Sequence, residues 1–273
     1  MDKFKSRTLT GIAFVLIMAG ALWLGQISFF ILFSLIITGS LWEFYSLSNQ
    51  NHRNPQKWLG LAVGLLTFAI AFFHARGTIP ATWFLLIFFS FFIFVIAELF
   101  SKQTTPAHSS SAVMGIIYIP GTLSTANYLV FNQSAGDTFS YQFELILGVF
   151  IIIWINDTMA YIIGKNTGKH KLMKQVSPKK TWEGTLSGLV FAFITSIILS
   201  TFLTPLNITE AGVLGILISI AANMGDLFES AIKRNAGSKD SGATLPGHGG
   251  LLDRFDAALF AIPFSFFYLN FLV

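Results

Sequence analysis

The chain contains no cysteine. Disulfide frameworks, thiolate nucleophiles and cysteine-ligated zinc or iron–sulfur centres are therefore excluded. Charge is also scarce: only 11% of the 273 residues are Asp, Glu, Lys or Arg, where a soluble globular domain carries about a quarter. No internal repeat is evident, which argues against a solenoid or an array. What the chain has in abundance is apolar surface. Hydrophobic residues make up 53%, phenylalanine alone contributes 30 positions, and the mean hydropathy is +0.67. Such a chain is built to dissolve in lipid, and its natural counting unit is the membrane span.

A spanning helix needs about 20 mostly apolar residues, and by that measure the fold class is all-α, a polytopic integral membrane helix bundle of about nine transmembrane helices. The expected spans are Leu9–Gly25, Ile27–Leu47, Trp58–His74, Ala81–Phe100, Val113–Phe131, Leu145–Ile163, Thr185–Phe202, Ala211–Phe228 and Phe255–Val273. Pro120–Gly121 interrupts the fifth. The first has a basic leader like a signal peptide, but eight further apolar segments favour a retained anchor. Cation placement supports the count. With nine spans, sixteen of the seventeen Lys and Arg residues fall on one side and only Arg76 on the other. Deleting the fifth span scatters them. The positive-inside rule then puts the N-terminus in the cytoplasm and the C-terminus outside.

Two regions follow. Residues 1–141 read as an N-terminal transmembrane scaffold of spans one to five. Within it Gly60 and Gly64 in "GLAVG" have a small-xxx-small spacing suited to close helix packing. Residues 142–273 read as a C-terminal catalytic core of spans six to nine, carrying two cytoplasmic loops, Gly164–Gly184 and Glu229–Asp253.

Ionisable groups inside a span are costly and usually face a cavity or a partner. Asp157, in "NDTMAYIIGKNTGKHK", shares a helical face with Tyr161 and Gly164. Asn223, Asp226, Glu229, Ser230 and Lys233 follow one face of the eighth span. Asp253 and Asp256 open the ninth. Three helices can thus bring carboxylates to one cytoplasm-facing hollow. Carboxylates beside many lysines suit a metal–phosphate site, because Mg²⁺ takes one or two carboxylates, retained waters and phosphate oxygens. The glycines at 237, 242, 247, 249 and 250 let backbone N–H groups approach phosphates, and Lys and Arg supply the remaining countercharge. Simpler readings hold elsewhere. The run Lys165–Lys174 serves equally well as a topology determinant or anionic-lipid contact. Glu43, Glu98 and Glu144 lie near helix ends, where interfacial location suffices. His52, His74, His108 and His170 have no ligand-like spacing.

One stretch carries more information than its composition. Ser230, Ile232, Lys233–Arg234, Lys239–Asp240, Pro246, His248–Gly249–Gly250, Leu251, Asp253–Arg254, Phe255 and Asp256 reproduce, position for position, the signature of phosphatidate cytidylyltransferase. "NDTMAYIIGKNTGKHK" and "SPKKTWEG" also resemble that family, so the specific resemblance spans about residues 156–256, whereas the N-terminal spans agree only in kind. The resemblance implies transfer of CMP from CTP to phosphatidate, giving CDP-diacylglycerol and pyrophosphate, with Mg²⁺ and with a second cation admitted. A lipid and a charged nucleotide would then meet where the helix bundle meets the cytoplasm.

On that reading Asp226 and Asp253 are the first metal ligands and share a cation, with Asp256 and Asp157 as further candidates. Lys233, Arg234, Lys239 and Arg254 would hold phosphates, with Lys179, Lys180, Gly249, Gly250 and Asp157 also at the substrate. Asp240 joins the catalytic set, and His248 either donates to departing pyrophosphate or locks the loop. The nucleophile is an already anionic phosphate oxygen, so no strong general base is required. The expected partners are CTP, phosphatidate and membrane lipids, without nucleic acid, and a homodimer is admissible. The expected location is a bacterial plasma membrane, since no organelle-targeting leader is evident. A related lipid nucleotidyltransferase or polyprenol-type kinase, a carrier of anionic metabolites and a lipid-binding scaffold are the alternatives. Against the carrier, the charges collect at one face, where carrier sites lie near mid-membrane.

Overall fold

A computed structural model of the chain describes residues 3–50, 54–101, 105–134, 138–203, 206–242, 244 and 249–273. The described residues are almost entirely helical. Seven of their helical segments are long and apolar enough to cross a membrane. These are α2 (Gln26–Gln50), α3 (Lys57–Ala75), α4 (Leu85–Leu99) with its leading 3₁₀ turn, the segment Pro106–Val130, α7 (Glu144–Thr167), α8 (Trp182–Ser200) and α9 (Ile208–Asn235). The segment Pro106–Val130 comprises α5 (Pro106–Ile116), a π turn, a 3₁₀ turn and α6 (Asn127–Val130). Helices also cover the first and last expected spans: α1 is Lys3–Trp23, and α10 is Leu252–Phe271, whose first two turns hold Asp253, Arg254 and Asp256. Two short antiparallel hairpins complete the chain. In the first, β1 (Phe131–Ser134) pairs with β2 (Thr138–Tyr141). In the second, β3 (Lys171–Met173) pairs with β4 (Ser177–Thr181) across an irregular register.

Large apolar side chains lie on the surface. On α4, Phe88, Phe89, Phe91, Phe92, Ile93 and Ile96 are all exposed. An apolar face this continuous belongs against lipid.

The chain forms two compact units. The first comprises residues 1–141 and 235–254, and the second residues 142–234 and 255–273. The segment 235–254, which carries most of the signature, packs within the first unit, and α10 begins there before continuing into the second.

In the first unit, Phe33 of α2 stacks against Phe68 of α3, and Phe29 meets the same ring at a tilt. Tyr45 is fully buried, and its hydroxyl donates to the Ala112 carbonyl at 2.9 Å. The "GLAVG" glycines make this packing fit. A Cβ at Gly60 would lie 2.7 Å from the Tyr45 ring, and one at Gly64 would lie 2.5 Å from Leu41 Cδ1. Pro120 explains the interruption in the segment Pro106–Val130. Proline offers no N–H to the helical ladder, and the backbone widens into a π turn over Ile117–Gly121. Glu98, read from sequence as interfacial, is buried. It accepts from Thr105 N at 2.8 Å, Ser109 Oγ at 3.0 Å and Gln56 Nε2 at 3.3 Å, with His108 Nδ1 at 3.2 Å, and so fixes the start of α5.

In the second unit, α7 and α8 pair closely through the β3–β4 hairpin. Small residues permit the approach. A Cβ at Gly188 would meet Asn156 Oδ1 at 2.8 Å, and one at Gly164 would meet Thr181 Oγ1 at 2.9 Å. Thr181 caps α8 by accepting from Gly184 N at 3.3 Å. Phe255 of α10 packs edge-on against Phe150 of α7. At the far end Tyr268 donates to the Glu210 carbonyl at 3.2 Å.

Candidate active site

Within the second unit, a cleft of about 590 Å³ opens where α7 ends and α8 begins. Asp157, Tyr161, Gly164 and Lys165 of α7, Lys171 of β3, Lys179 to Thr181 of β4, and Asn223 and Asp226 of α9 line it, among others. One ion pair spans it: Lys180 Nζ lies 2.8 Å from Asp226 Oδ2 and 3.4 Å from Asn223 Oδ1. The other Asp226 oxygen, Oδ1, accepts from Ser230 Oγ at 3.2 Å. The 3–4 spacing on α9 thus places Asn223, Asp226 and Ser230 on one face, as expected.

Asp157 is held from below. Asn156 is buried, donates to Asp157 Oδ1 at 2.9 Å and accepts from Ser219 Oγ at 2.7 Å. A hydrogen-bonded relay therefore joins α9 to the cleft carboxylate on α7. Asp256 accepts from Ala257 N at 2.8 Å. It lies close enough to Asp226 and Asp157 for the three carboxylates to repel one another. Among the described residues that line the cleft, four lysines, Lys165, Lys171, Lys179 and Lys180, outnumber the two carboxylates, Asp157 and Asp226, and Asp256 lies close to both. The Asp226 side chain is 37% exposed and that of Lys180 22%, so a ligand in the cleft can reach both. An open, lysine-lined hollow with reachable carboxylates is suited to a polyphosphate.

Lys179, Lys180, Asp157 and Asp226 of the expected site all line the cleft, together with Lys165 and Lys171, for which the sequence supports a topological role equally well. Asn223 was noted only for its helical face, and Thr181 was not singled out. His170 was read as ordinary, yet its Nδ1 lies 2.6 Å from Glu183 Oε1 and ties the hairpin to the first turn of α8.

Lys233 and Arg234 lie on the last turns of α9. Arg234 is exposed, whereas Lys233 is buried and ion-paired with the fully buried Glu229 one turn earlier. In the sequence, Lys233 looked like a phosphate holder. Here its ammonium already has a carboxylate partner.

Described residues of the signature stretch in the first unit gather on two carboxylates. Asp253 Oδ2 accepts from Gly250 N at 2.7 Å and Ser241 N at 3.0 Å. Gly249 takes the left-handed conformation, with φ +82°, directly beside that carboxylate. Lys239, Asp240 and Arg254 are exposed and Gly250 is buried. Glu43 of α2 supplies the second carboxylate, accepting from Ser241 Oγ at 2.8 Å, Thr244 Oγ1, and the amides of Leu251 and Leu252, both at 2.9 Å. His248 and Pro246 lie outside the described residues.

Among the described residues, no group of three or more His, Asp or Glu side chains is gathered as a metal-ligand cluster. The donor chemistry nonetheless fits Mg²⁺. The cleft offers hard carboxylate oxygens, and Mg²⁺ takes only one or two from protein when substrate phosphates complete its sphere.

The sequence pattern of the Cytidylyltransferase family matches residues 5–272. Among individual relatives, the chain is 37% identical over 179 residues to the phosphatidate cytidylyltransferase of Staphylococcus haemolyticus, a stretch covering 65% of each chain. It is 36% identical over 180 residues to that of Staphylococcus aureus strain COL, again 65% of each. It is 44% identical over 127 residues to the uncharacterized protein YnbB of Escherichia coli K12, covering 46% of this chain and 43% of that one. The chain thus spans about two-thirds of the length of the staphylococcal relatives.

Proposed function

The chain belongs to the Cytidylyltransferase family, and we propose that it transfers CMP from CTP to phosphatidate, releasing pyrophosphate and forming CDP-diacylglycerol. The observation that carries this reading is the cleft of the second unit, a lysine-rich, carboxylate-bearing hollow set among helices long enough to span a membrane. The relatives' printed names supply the substrate class.

The chemistry follows from the charges. A phosphatidate oxygen, anionic near neutral pH, attacks the α-phosphorus of CTP. A new P–O bond forms there as the bond from the α-phosphorus to the bridging oxygen breaks, and that oxygen leaves with the pyrophosphate. No proton need be removed from the nucleophile. The barrier is chiefly the approach of two polyanions, so positioning and charge neutralisation dominate. Lys165, Lys171, Lys179 and Lys180 hold the triphosphate and offset its charge. Lys180 is itself aimed by Asp226 and Asn223. Asp226, with Asp157 and Asp256 beside it, would hold Mg²⁺, which when bound supplies further countercharge to the phosphates. In the signature segment, the resemblance implies that Lys233, Arg234, Lys239 and Arg254 hold phosphates and that Asp240 and Asp253 belong to the catalytic set.

The site faces the cytoplasm, in a chain that crosses a bacterial plasma membrane nine times with its C-terminus outside. Cation placement supports this topology, and the absence of native cysteine makes it testable. Single cysteines at Lys174 and Thr78, both exposed, should label from opposite faces of sealed vesicles. Labelling from the same face would overturn the topology.

The activity is tested with purified protein in detergent, radiolabelled CTP and phosphatidate. CDP-diacylglycerol should form, and Lys180→Ala should lower the rate on the order of 100-fold, as loss of a preorganised charge at a transferring phosphoryl group does. Absence of CDP-diacylglycerol formation across a Mg²⁺ titration would overturn the reading.

A further inference from the structure

Glu43 has no counterpart in the signature and sits 198 residues before Ser241, one of the groups it binds. It lies near the C-terminal end of an apolar helix, where a single carboxylate invites the reading of an interfacial side chain. Its surroundings contradict that. It is 3% exposed, and a buried carboxylate is tolerated only when its oxygens are satisfied. Four donors satisfy them, and all four come from the segment 235–254. Oε1 accepts from Thr244 Oγ1 and Leu251 N, and Oε2 from Ser241 Oγ and Leu252 N. Two of these donors are amides where α10 begins, the end of a helix dipole that favours negative charge.

The same carboxylate explains two glycines of the loop. A Cβ at Gly242 would lie 2.6 Å from Glu43 Oε1, and one at Gly250 would collide with Glu43 Oε2 and Ser241 Oγ. The loop has been cut to fit Glu43. Ser241 links this contact to the next: its hydroxyl is on Glu43, while its amide joins that of Gly250 on Asp253 Oδ2. The carboxylate of α2 thereby fixes the backbone that holds Asp253 in place.

We propose that Glu43 is a positioning residue for CMP transfer: it holds Ser241, Thr244, Leu251 and Leu252 of the signature segment and through them sets the orientation of Asp253. The proposal rests on the functional reading above for its catalytic consequence, but its structural content stands alone. The neutral isostere separates the two. In Glu43→Gln one oxygen becomes an N–H donor, which cannot accept from an amide N–H, so one of the two amides at the start of α10 loses its partner.

The test uses two readouts. A nitroxide spin label on Ser238→Cys, in the naturally cysteine-free chain, reports the motion of the loop, and a label on Lys169→Cys serves as a control in the second unit. Glu43→Gln should raise mobility at 238 and leave 169 unchanged. CDP-diacylglycerol formation should fall on the order of 100-fold, as displacement of a reacting group by about 1 Å can produce. Glu43→Asp, which restores an all-acceptor carboxylate, should recover part of the rate that Glu43→Gln loses. If Glu43→Gln cannot be purified folded, Ser241→Ala and Thr244→Val remove single donors and should show the same pattern in smaller degree. Unchanged mobility at 238 would overturn the proposal. So would raised mobility with a normal rate, or an Asp variant as slow as the Gln variant. Should the unmutated protein make no CDP-diacylglycerol, the functional reading falls, and the spin-label comparison still decides whether Glu43 holds the loop.

Discussion

The two units treat buried and half-buried carboxylates in opposite ways. In the second, Asp157 and Asp226 line an open cleft, lysines outnumber them there, and the Asp226 side chain is 37% exposed. In the first, Glu43 is buried under four donors from its own chain. A cleft with surplus cations is electrostatically incomplete without an anion, whereas a carboxylate that already accepts four hydrogen bonds is complete in the resting protein. On the proposed reading, the contrast separates carboxylates open to a substrate from carboxylates that hold their own unit's backbone, although both kinds are acidic side chains near the ends of apolar helices.

The largest effect should come from the open side. Asp226→Asn keeps the size of the side chain but removes the charge that aims Lys180 and contributes to any Mg²⁺ site. CMP transfer should fall by a factor on the order of 100 to 1,000, the range found when a preorganised electrostatic group is removed, with the helical content unchanged. The measurement is CDP-diacylglycerol formation across a Mg²⁺ titration. A near-normal rate with unaltered Mg²⁺ dependence would remove Asp226 from the site and leave the cleft without its central pair.

The next test sits on the border between the two kinds. Lys233 belongs to the signature by sequence but to the satisfied class by structure, since its ammonium pairs with Glu229, a carboxylate with no exposed surface. Breaking a buried pair from one side typically costs about 3–5 kcal/mol. Lys233→Ala should therefore lower the thermal midpoint of the detergent-solubilised protein far more than Lys179→Ala, whose side chain is exposed in the cleft. Lys179→Ala should instead raise KM for CTP. The reverse pattern, a stable Lys233→Ala with weakened CTP use, would return Lys233 to the phosphates.

The sequence disclosed the helices more fully than the side-chain partnerships. Hydropathy located each described long helix because lipid imposes a length and a composition on every span, and Pro120 marked the π turn because a missing N–H acts locally. Asp157 and Asp226 stand out because a carboxylate within an apolar run has few innocent explanations, whereas Lys179 and Lys180 stand out through the resemblance of "SPKKTWEG" to the family. The burial of Glu43 and Glu98 and the partner of Lys233 escape the sequence for one common reason. Their meaning lies in a partner that the residue's own neighbourhood does not reveal: Ser241 stands 198 residues from Glu43, and Gln56 stands 42 residues from Glu98. Lys233 has its partner only four residues away, but the burial that makes the pair structural depends on the packing of whole helices.

Glu98 gives the smallest expected effect and the sharpest control on the comparison. Like Glu43 it is a buried acceptor near a helix end, bonded to a backbone amide and to hydroxyl and amide side chains. Unlike Glu43, its partners belong to the start of α5, to Gln56 and to His108, and none is a signature residue. In Glu98→Gln one oxygen still accepts. The Ser109 hydroxyl can turn to receive the new N–H, because a hydroxyl both donates and accepts. The net loss is then about one hydrogen bond to a charged group, roughly 1.5–3 kcal/mol, together with the attraction to His108. The thermal midpoint should drop modestly, while kcat and KM for both substrates should stay within about twofold, as for a change far from the reacting groups. Measured beside Glu43→Gln, this variant asks whether loss of any buried carboxylate slows the enzyme or only loss of the one that holds the signature loop. Equal falls in rate for Glu43→Gln and Glu98→Gln would mean that both act through general stability, and the distinction between substrate-facing and loop-shaping carboxylates would fail on the side of the first unit.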